Sequence, residues 1–487
     1  MPLLNRPLLV ASALAYLAAV VAIALWSARR TRDSRDFFIA GQRLGLLVTA
    51  LATASAAFSG FVFLGGPGLT YRLGAGSFFI CVSVGFTPAL LCWTVGRQLR
   101  ELADDGEIYT IPDAFLRRYD SRLASGLAAG AVLIGTVGYL GAQLLALGLI
   151  VSALIDAPGL FGDAGPLVAL GLGLAVVLFY SAIGGMVAGV YTDVLQGGLM
   201  MAGAVAVFAT AWRRVGGWER ATEALAGSPE FGARFLDPLG IEPATALGFF
   251  VVFAVGTLGQ PHMLHKFYML RDPGRLKWMP LALGGAQSLC LLIWIGLGLA
   301  VPALVATGQM QPLTDPDLAT PTFLLHFTPD LLAGLAFAAV LAAIMSTADS
   351  FLNIGAAALV RDLPRAFGRP PLTRELAWGR VATVGLGLAA AAVAWGYGDL
   401  IALLGTFAFG TFAAALAPAL AVGLNWPRVD ARAAIASLTT GLVLNLGLEL
   451  WSRSTLPPIL PAGVLPSAVA LSASFVVLFL ATALRRA

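Results

Sequence analysis

Ala50-Leu-Ala-Thr-Ala-Ser-Ala-Ala-Phe-Ser-Gly-Phe-Val-Phe-Leu-Gly-Gly-Pro-Gly68 is apolar enough to lie in a membrane, yet it carries hydroxyls and ends in a glycine–proline run. A second stretch, Phe253-Ala-Val-Gly-Thr-Leu-Gly-Gln-Pro-His262, has the same character. Proline removes a backbone donor and glycine loosens a helix, so both stretches free carbonyl and N–H groups at membrane depth. Such groups persist where they face a cavity or hold a ligand. A kinked packing helix with close glycine contacts is the simpler alternative for either stretch alone.

The chain around them decides between these readings. Of its 487 residues 59% are apolar and only 11% charged, too few charges to cover a water-soluble globule of this size. The same figures exclude a disordered or nucleic-acid-binding protein. A spanning helix needs about 20 mainly apolar residues. That ruler yields thirteen spans: 8–27, 44–70, 74–96, 123–154, 165–184, 187–212, 244–265, 278–306, 329–360, 379–396, 398–426, 433–451 and 464–484. Between the fifth and sixth there is only Gly184-Gly185. The interrupted stretches are the second and seventh spans, corresponding positions in two halves of five. Paired interruptions of that kind point to the midplane site of a secondary transporter.

Basic residues supply the orientation. With the N-terminus outside, 23 of the 30 Lys and Arg residues fall in inward-facing segments and 7 in outward-facing ones. This is the positive-inside bias, and it makes the basic clusters topology signals beside anionic headgroups. The long 213–243 segment is the exception, with Arg213, Arg214, Arg220 and Arg234 outside. Cys81, Cys92 and Cys290 are three, lie in apolar runs and lack CxxC spacing, so neither a disulfide framework nor a zinc site is expected. The first apolar run has no small-residue cleavage pattern and reads as a retained helix.

Span nine adds Ala343-Ile-Met-Ser346-Thr347-Ala-Asp349-Ser350. Ala343, Ser346 and Thr347 share a helical face. Hydroxyl and carbonyl oxygens without a carboxylate suit a small monovalent cation, whereas Mg²⁺ or Ca²⁺ normally calls for carboxylates. Hydroxyls bonding back to their own helix are the plainer alternative.

Five strings in order resemble the sodium/solute symporter family. They are Ser59-Gly60 with Gly65-Gly-Pro-Gly68, Ile111-Pro-Asp113-Ala-Phe, Gly184-Gly-Met-Val-Ala-Gly-Val-Tyr-Thr192-Asp193-Val-Leu-Gln196, Gly259-Gln-Pro-His262, and Ala343-Ile-Met-Ser-Thr347-Ala-Asp-Ser350. The resemblance implies an all-α membrane protein with a LeuT-type core of two inverted five-helix repeats. The first repeat would be 44–212 and the second 244–426. Residues 1–43 would form an added first helix with its loop, 213–243 an extracellular loop, and 427–487 two peripheral helices. It implies sodium-coupled uptake by alternating access in a bacterial inner membrane, N-terminus outside and C-terminus cytoplasmic, with the protein acting as a monomer and needing no organic cofactor.

It also implies a sodium site made of the backbone carbonyls of Ser55, Phe58 and Ala343 with the hydroxyls of Ser346 and Thr347. Asp193 matches an acidic family position and would assist cation movement; Asp349 would orient the ion-site hydroxyls. A cap or a structural hydrogen bond is the alternative for each. The expected solute contacts are Ser59, Phe61, Tyr139, Gln143, Thr257 and Gln260. Tyr139 and Gln143 stand i, i+4 on span four. His262 has a plausible motif role, while His265 beside Lys266 reads as cytoplasmic surface. Asp399 and Glu449 read as solvated span ends. The chain departs from the sodium/proline branch at Ala57, where that branch carries Asp, and at Thr257, where it carries Tyr. The solute class therefore stays open among amino acids, carboxylates, sugars and vitamins. Rival functions are a proton-coupled or uncoupled carrier using Asp193, a transporter-like sensor, and an intramembrane enzyme. The absence of clustered His, Asp and Glu within the spans argues against the enzyme.

Overall fold

The computed structural model describes residues 6–28, 44–104, 108–370, 372, 374–454 and 457–484. The basic cluster from Arg29 to Arg43 and the terminal Arg485 and Arg486 lie outside the described residues, as do the side chains of residues 24–28, 180 and 182–188. Every regular element is helical, apart from an isolated bridge between Leu44 and Leu270.

The helices follow the apolar runs closely. Helix α1 spans Pro7–Ala28 and α2 spans Leu46–Ala57. Beyond a break, a π-helical turn at Phe61–Gly65 leads into α3, Gly66–Leu73. The third span is a chain of short helical segments from Gly74 to Gly96. Helix α4 covers Arg122–Ile155, with Ser121 accepting from the Ala124 N–H as an N-cap. Helix α5 is Gly165–Val215; the seventh span is α6, Pro243–Ala254, and α7, Pro261–Phe267. Then come α8 (Met279–Ala306), α9 (Asp330–Ala357), α10 (Glu375–Tyr397), α11 (Ile401–Ala421), α12 (Ala431–Ser452) and α13 (Pro466–Ala483). The 213–243 segment is helical in part, at Trp218–Gly227 and Gly232–Leu236.

Two expectations need correction. The helix expected to end at Gly184-Gly185 is assigned without a break through all 51 residues of α5. At 1.5 Å per residue that is about 75 Å, far more than one bilayer core of about 30 Å. Its parts flanking the glycine pair each count as a candidate span. Among the described residues nine helices are long and apolar enough to cross a membrane, or ten with the bent pair in span two counted as one; Pro7–Ile23 and Pro243–Ala254 are shorter apolar helices.

The second correction concerns Lys266 and His265. Both are buried, at 1% and 4% exposure, rather than on a cytoplasmic surface. They sit on α7, every residue of which is buried.

Burial places the elements. The most apolar windows of α11 and α9 are 89% and 83% buried, whereas that of α10 is 22% buried. So α9 and α11 form the centre, and α10, α12 and α13 present much of their surface outward.

Candidate functional site

The second span breaks earlier than its glycine–proline run. Helix α2 ends at Ala57, and Phe58 turns extended at φ −102°, ψ 114°. Its N–H is the last to bond back, to the Ala54 carbonyl. Helical bonding restarts when the Val62 and Phe63 N–H groups bond the Ser59 carbonyl. The two halves are bent by 55°. The run Gly65-Gly-Pro-Gly68 serves close approach instead. A Cβ on Gly66 would strike the Trp294 ring, and one on Gly65 would sit 2.9 Å from the Ala402 nitrogen. Pro67 fits in the first turn of α3, where no donor is missed.

In span seven the break does fall at proline. Gln260 precedes Pro261 and is extended at φ −81°, ψ 102°. A 3₁₀ turn at Gly256–Gly259 leads into it, and α7 starts at Pro261.

A helix that stops inside the protein leaves its last carbonyls without intrahelical partners and carries partial negative charge at that end. Two of these carbonyls on α2 face α9. Ser346 Oγ donates to the Ser55 carbonyl at 2.9 Å and also reaches the Ala343 carbonyl at 3.2 Å. Thr347 Oγ1 donates to the Ala56 carbonyl at 3.1 Å. All are buried. Ser55, Ala343, Ser346 and Thr347 are thus brought together. Phe58 lies at the break and lines the adjoining cavity. Ala56 was missed by sequence reasoning; the orphaned-carbonyl rule applied to a helix ending at Ala57 would have found it.

The expected solute contacts divide into braces and walls. Gln143 Oε1 accepts the Gly60 N–H at 3.0 Å, and Tyr139 Oη lies 3.3 Å from Ser59 Oγ. The i, i+4 pair on α4 therefore reaches across to the span-two break together. Ser59 Oγ in turn accepts the Phe61 N–H at 3.1 Å. Gln260 Nε2 donates to the Gly256 and Phe409 carbonyls, both at 3.0 Å, and stitches the span-seven break to α11. Thr257 Oγ1 donates back to the Phe253 carbonyl at 2.6 Å.

Between the breaks lies a cavity of about 60 Å³, whose walls include Phe58, Phe61, Tyr139 and Thr257. Phe61 stacks on Phe253 at 5.4 Å, Phe253 on Phe409 at 4.5 Å, and Trp294 meets Phe61 edge-on at 5.6 Å. Gln143, Gln260 and Ser59 are not among its walls. Gln287 of α8 is. A lone amide in an otherwise apolar span was the sequence signal for it.

Asp193 meets a partner that sequence separation hid. Lys266 Nζ lies 2.8 Å from Asp193 Oδ2, with both side chains 2% exposed. Asp349 is also buried, beside Ser181 and Asn353, and its Oδ2 packs where a Cβ on Gly189 would come within 2.5 Å. Asp349 therefore faces α5 and does not touch the Ser346 and Thr347 hydroxyls. His265 Nε2 lies 2.8 Å from the Tyr109 carbonyl. Asp399 and Glu449 form ion pairs, with Arg72 at 3.1 Å and Arg453 at 2.9 Å.

Two helix breaks thus lie beside one cavity, with hydroxyls of a third helix on the carbonyl end of one. The sodium:solute symporter family model matches residues 37–441. The chain belongs to the sodium:solute symporter family. It is similar to the osmoregulated proline transporter OpuE of Bacillus subtilis (strain 168), 28% identical over 437 residues, covering 88% of this chain and 85% of the relative. It is 27% identical to the sodium/pantothenate symporter of Escherichia coli (strain K12) over 442 residues, covering 88% of each. Its fold matches a solved substrate-bound, outward-open Na⁺-coupled sialic acid symporter with a TM-score of 0.78 at 16% identity, covering 98% of this chain and 97% of that one. The molecule is a multi-pass, all-helical membrane protein of LeuT-like fold, a sodium-coupled solute symporter and not an enzyme.

Away from the breaks, Asp317 locks the start of α11. It lies outside the spans, in the Pro316–Leu318 turn, is 4% exposed, and accepts the Ile401 N–H through Oδ2 at 2.7 Å. Its Oδ1 has no hydrogen-bond partner and abuts Gly68 of α3. Burial pushes its carboxyl up to about 7; the Ile401 bond pulls the other way, Asp315 and Asp399 raise it, and Arg72 lowers it. A carboxyl raised in the folded state binds its proton more tightly there than in the unfolded chain, so it lowers stability as pH rises from about 4 to about 7. We expect Asp317→Asn, which retains an oxygen for Ile401, to come close to the wild type in thermal stability at about pH 4 and to exceed it increasingly up to about pH 7. Melting of both proteins across that range checks this; parallel curves would refute it.

Proposed function

We propose that this symporter imports a small polar organic solute with one Na⁺ per cycle by alternating access. The ion would be bound by the carbonyls of Ser55, Phe58 and Ala343 and the hydroxyls of Ser346 and Thr347, with the Ala56 carbonyl beside them. The observation that carries this reading is that both hydroxyls reach the carbonyl end of α2 at 2.9 and 3.1 Å. A hydroxyl rotates freely, so each can turn its proton away and offer lone pairs to a cation. The partial negative charge of a helix C-terminus favours the same occupant. Sodium then holds α2 against α9 and favours the conformation that accepts solute between the two breaks. Separation of the two helices on inward opening removes ligands from the ion, and ion and solute leave together. Coupling follows because both favour the same step.

The solute reading rests on Phe61, Tyr139 and Thr257 in the cavity wall, with Ser59, Gln143 and Gln260 shaping the breaks behind it. The fuller architecture in this proposal is thirteen spans, with inverted repeats at 44–212 and 244–426. The N-terminus lies outside and the C-terminus inside a bacterial plasma membrane, in a protein working as a monomer. The positive-inside distribution supports the orientation. Asp193 and Asp349 belong to a polar cluster on the ion's side of α5 and α9.

One charge crossing 100 mV supplies about 2.3 kcal/mol, and a tenfold sodium gradient about 1.4 kcal/mol. Together they support roughly several-hundredfold accumulation of a neutral solute. Proteoliposomes with an inward Na⁺ gradient should accumulate solute, and replacement of Na⁺ by choline should stop it. Undiminished uptake in choline would reject sodium coupling in favour of a proton-coupled or uncoupled carrier.

A further inference from the structure

The cavity between the breaks carries no charged side chain in its walls. Phe58, Phe61, Phe253, Trp294 and Phe409 make most of its surface apolar and aromatic. The features that could receive a charge are already engaged. The Gly60 and Phe61 N–H groups, which would otherwise greet an anion at the start of the outer half-helix, are taken by Gln143 and Ser59. The buried charges of Asp193 and Lys266 are spent on each other at 2.8 Å, and neither lines the cavity. Gln287 stands apart. It is 4% exposed, lines the cavity from α8, and its amide has no hydrogen-bond partner among the described residues. A buried amide left without a partner is costly, whereas one that meets a solute's polar group is a specificity device.

We propose that the solute carries no net charge, lays an apolar ring or branched body against the Phe61–Phe253–Phe409 stack, and hydrogen-bonds through one polar group to Gln287. An anion entering here would lose its water with no cationic side chain in the walls to replace it. A compact solute fits a cavity far below the roughly 300–1,000 Å³ of drug-sized pockets. Gln287 supplies both a donor and an acceptor, so amide-like and hydroxyl-bearing groups are both accepted. This rests on the reading of the cavity as the solute site.

The test is uptake by proteoliposomes under an inward Na⁺ gradient from a defined mixture of small metabolites in matched pairs differing in charge. Nicotinamide with nicotinate is one such pair, and a neutral sugar with its uronate is a second. Accumulated species are read by mass spectrometry. Net-neutral members should be the species taken up, and accumulation of anionic members would overturn the proposal. No accumulation of any member, in vesicles where sodium still stabilises the protein, would count instead against the cavity as a solute site. For the solute found, Gln287→Leu should raise the half-saturating concentration at least tenfold, with the sodium-only thermal shift reporting that the variant is folded. Unchanged affinity would remove Gln287 from the assignment.

Discussion

Lys266→Met should cost this protein about 3–5 kcal/mol of stability, the usual consequence of removing one partner of a buried ion pair. Lys266 Nζ and Asp193 Oδ2 are 2.8 Å apart and sealed from solvent. Without the ammonium, the Asp193 carboxylate either stays charged with no partner or takes a proton, and both alternatives tax the folded state. Asp193→Asn should be damaging as well, since it removes the carboxylate that faces the buried ammonium. The combined variant, Lys266→Met with Asp193→Asn, leaves no buried charge at the pair and should recover most of the loss. Thermal unfolding of the four proteins in detergent forms a double-mutant cycle, which isolates the coupling between the two side chains. Strict additivity would mean that the pair does not act as a unit. The pair ties α7, the half-helix beyond the span-seven break, to α5, so the damage should extend to uptake in both single variants.

The pair also marks the limit of what the sequence displays. Asp193 and Lys266 are 73 residues apart, and no local pattern connects them. Lys266 lies just past an apolar run, which is where a charged residue at a membrane surface also lies. Position along the chain therefore suggests solvent, and only the burial of α7 reveals otherwise. Local signals behaved differently. The extended residue before Pro261 follows from a steric clash between neighbours, so the span-seven break was legible where it occurs. The span-two break was legible as a break but not in place. Glycine loosens a helix and also lets two helices touch, and the run at Gly65–Gly68 is used for contact with Trp294, Ala402 and Asp317. The chain bends instead at Phe58. The faces of α9 were legible because helical periodicity fixes them, and Ser346 and Thr347 point at α2 as their spacing required. Which carbonyls they meet depends on where α2 stops, so Ala56 escaped notice. Gln287 was signalled as an amide within an apolar span, but its place in the cavity wall, like the setting of Asp317, comes from tertiary packing.

Replacing Ser346 and Thr347 together by Ala should abolish the stabilisation of the purified protein by Na⁺ and reduce sodium-driven uptake to the level seen in choline. Each hydroxyl is a proposed ligand, and each also ties α9 to α2 through a carbonyl. Loss of a structural tie alone would lower the melting temperature in choline and leave the increment on adding Na⁺ intact. Loss of ligands would remove the increment itself, because binding to the folded state raises stability by an amount set by ion concentration over Kd. The two roles therefore separate in one experiment, a sodium titration of the melting temperature in wild type and variant. Thr347→Ser retains an oxygen and should keep the increment, whereas Thr347→Val keeps the shape without the hydroxyl and should lose most of it. A double-alanine protein that still melts higher with rising Na⁺ would place the ion elsewhere and detach the sodium reading from the α2–α9 contact.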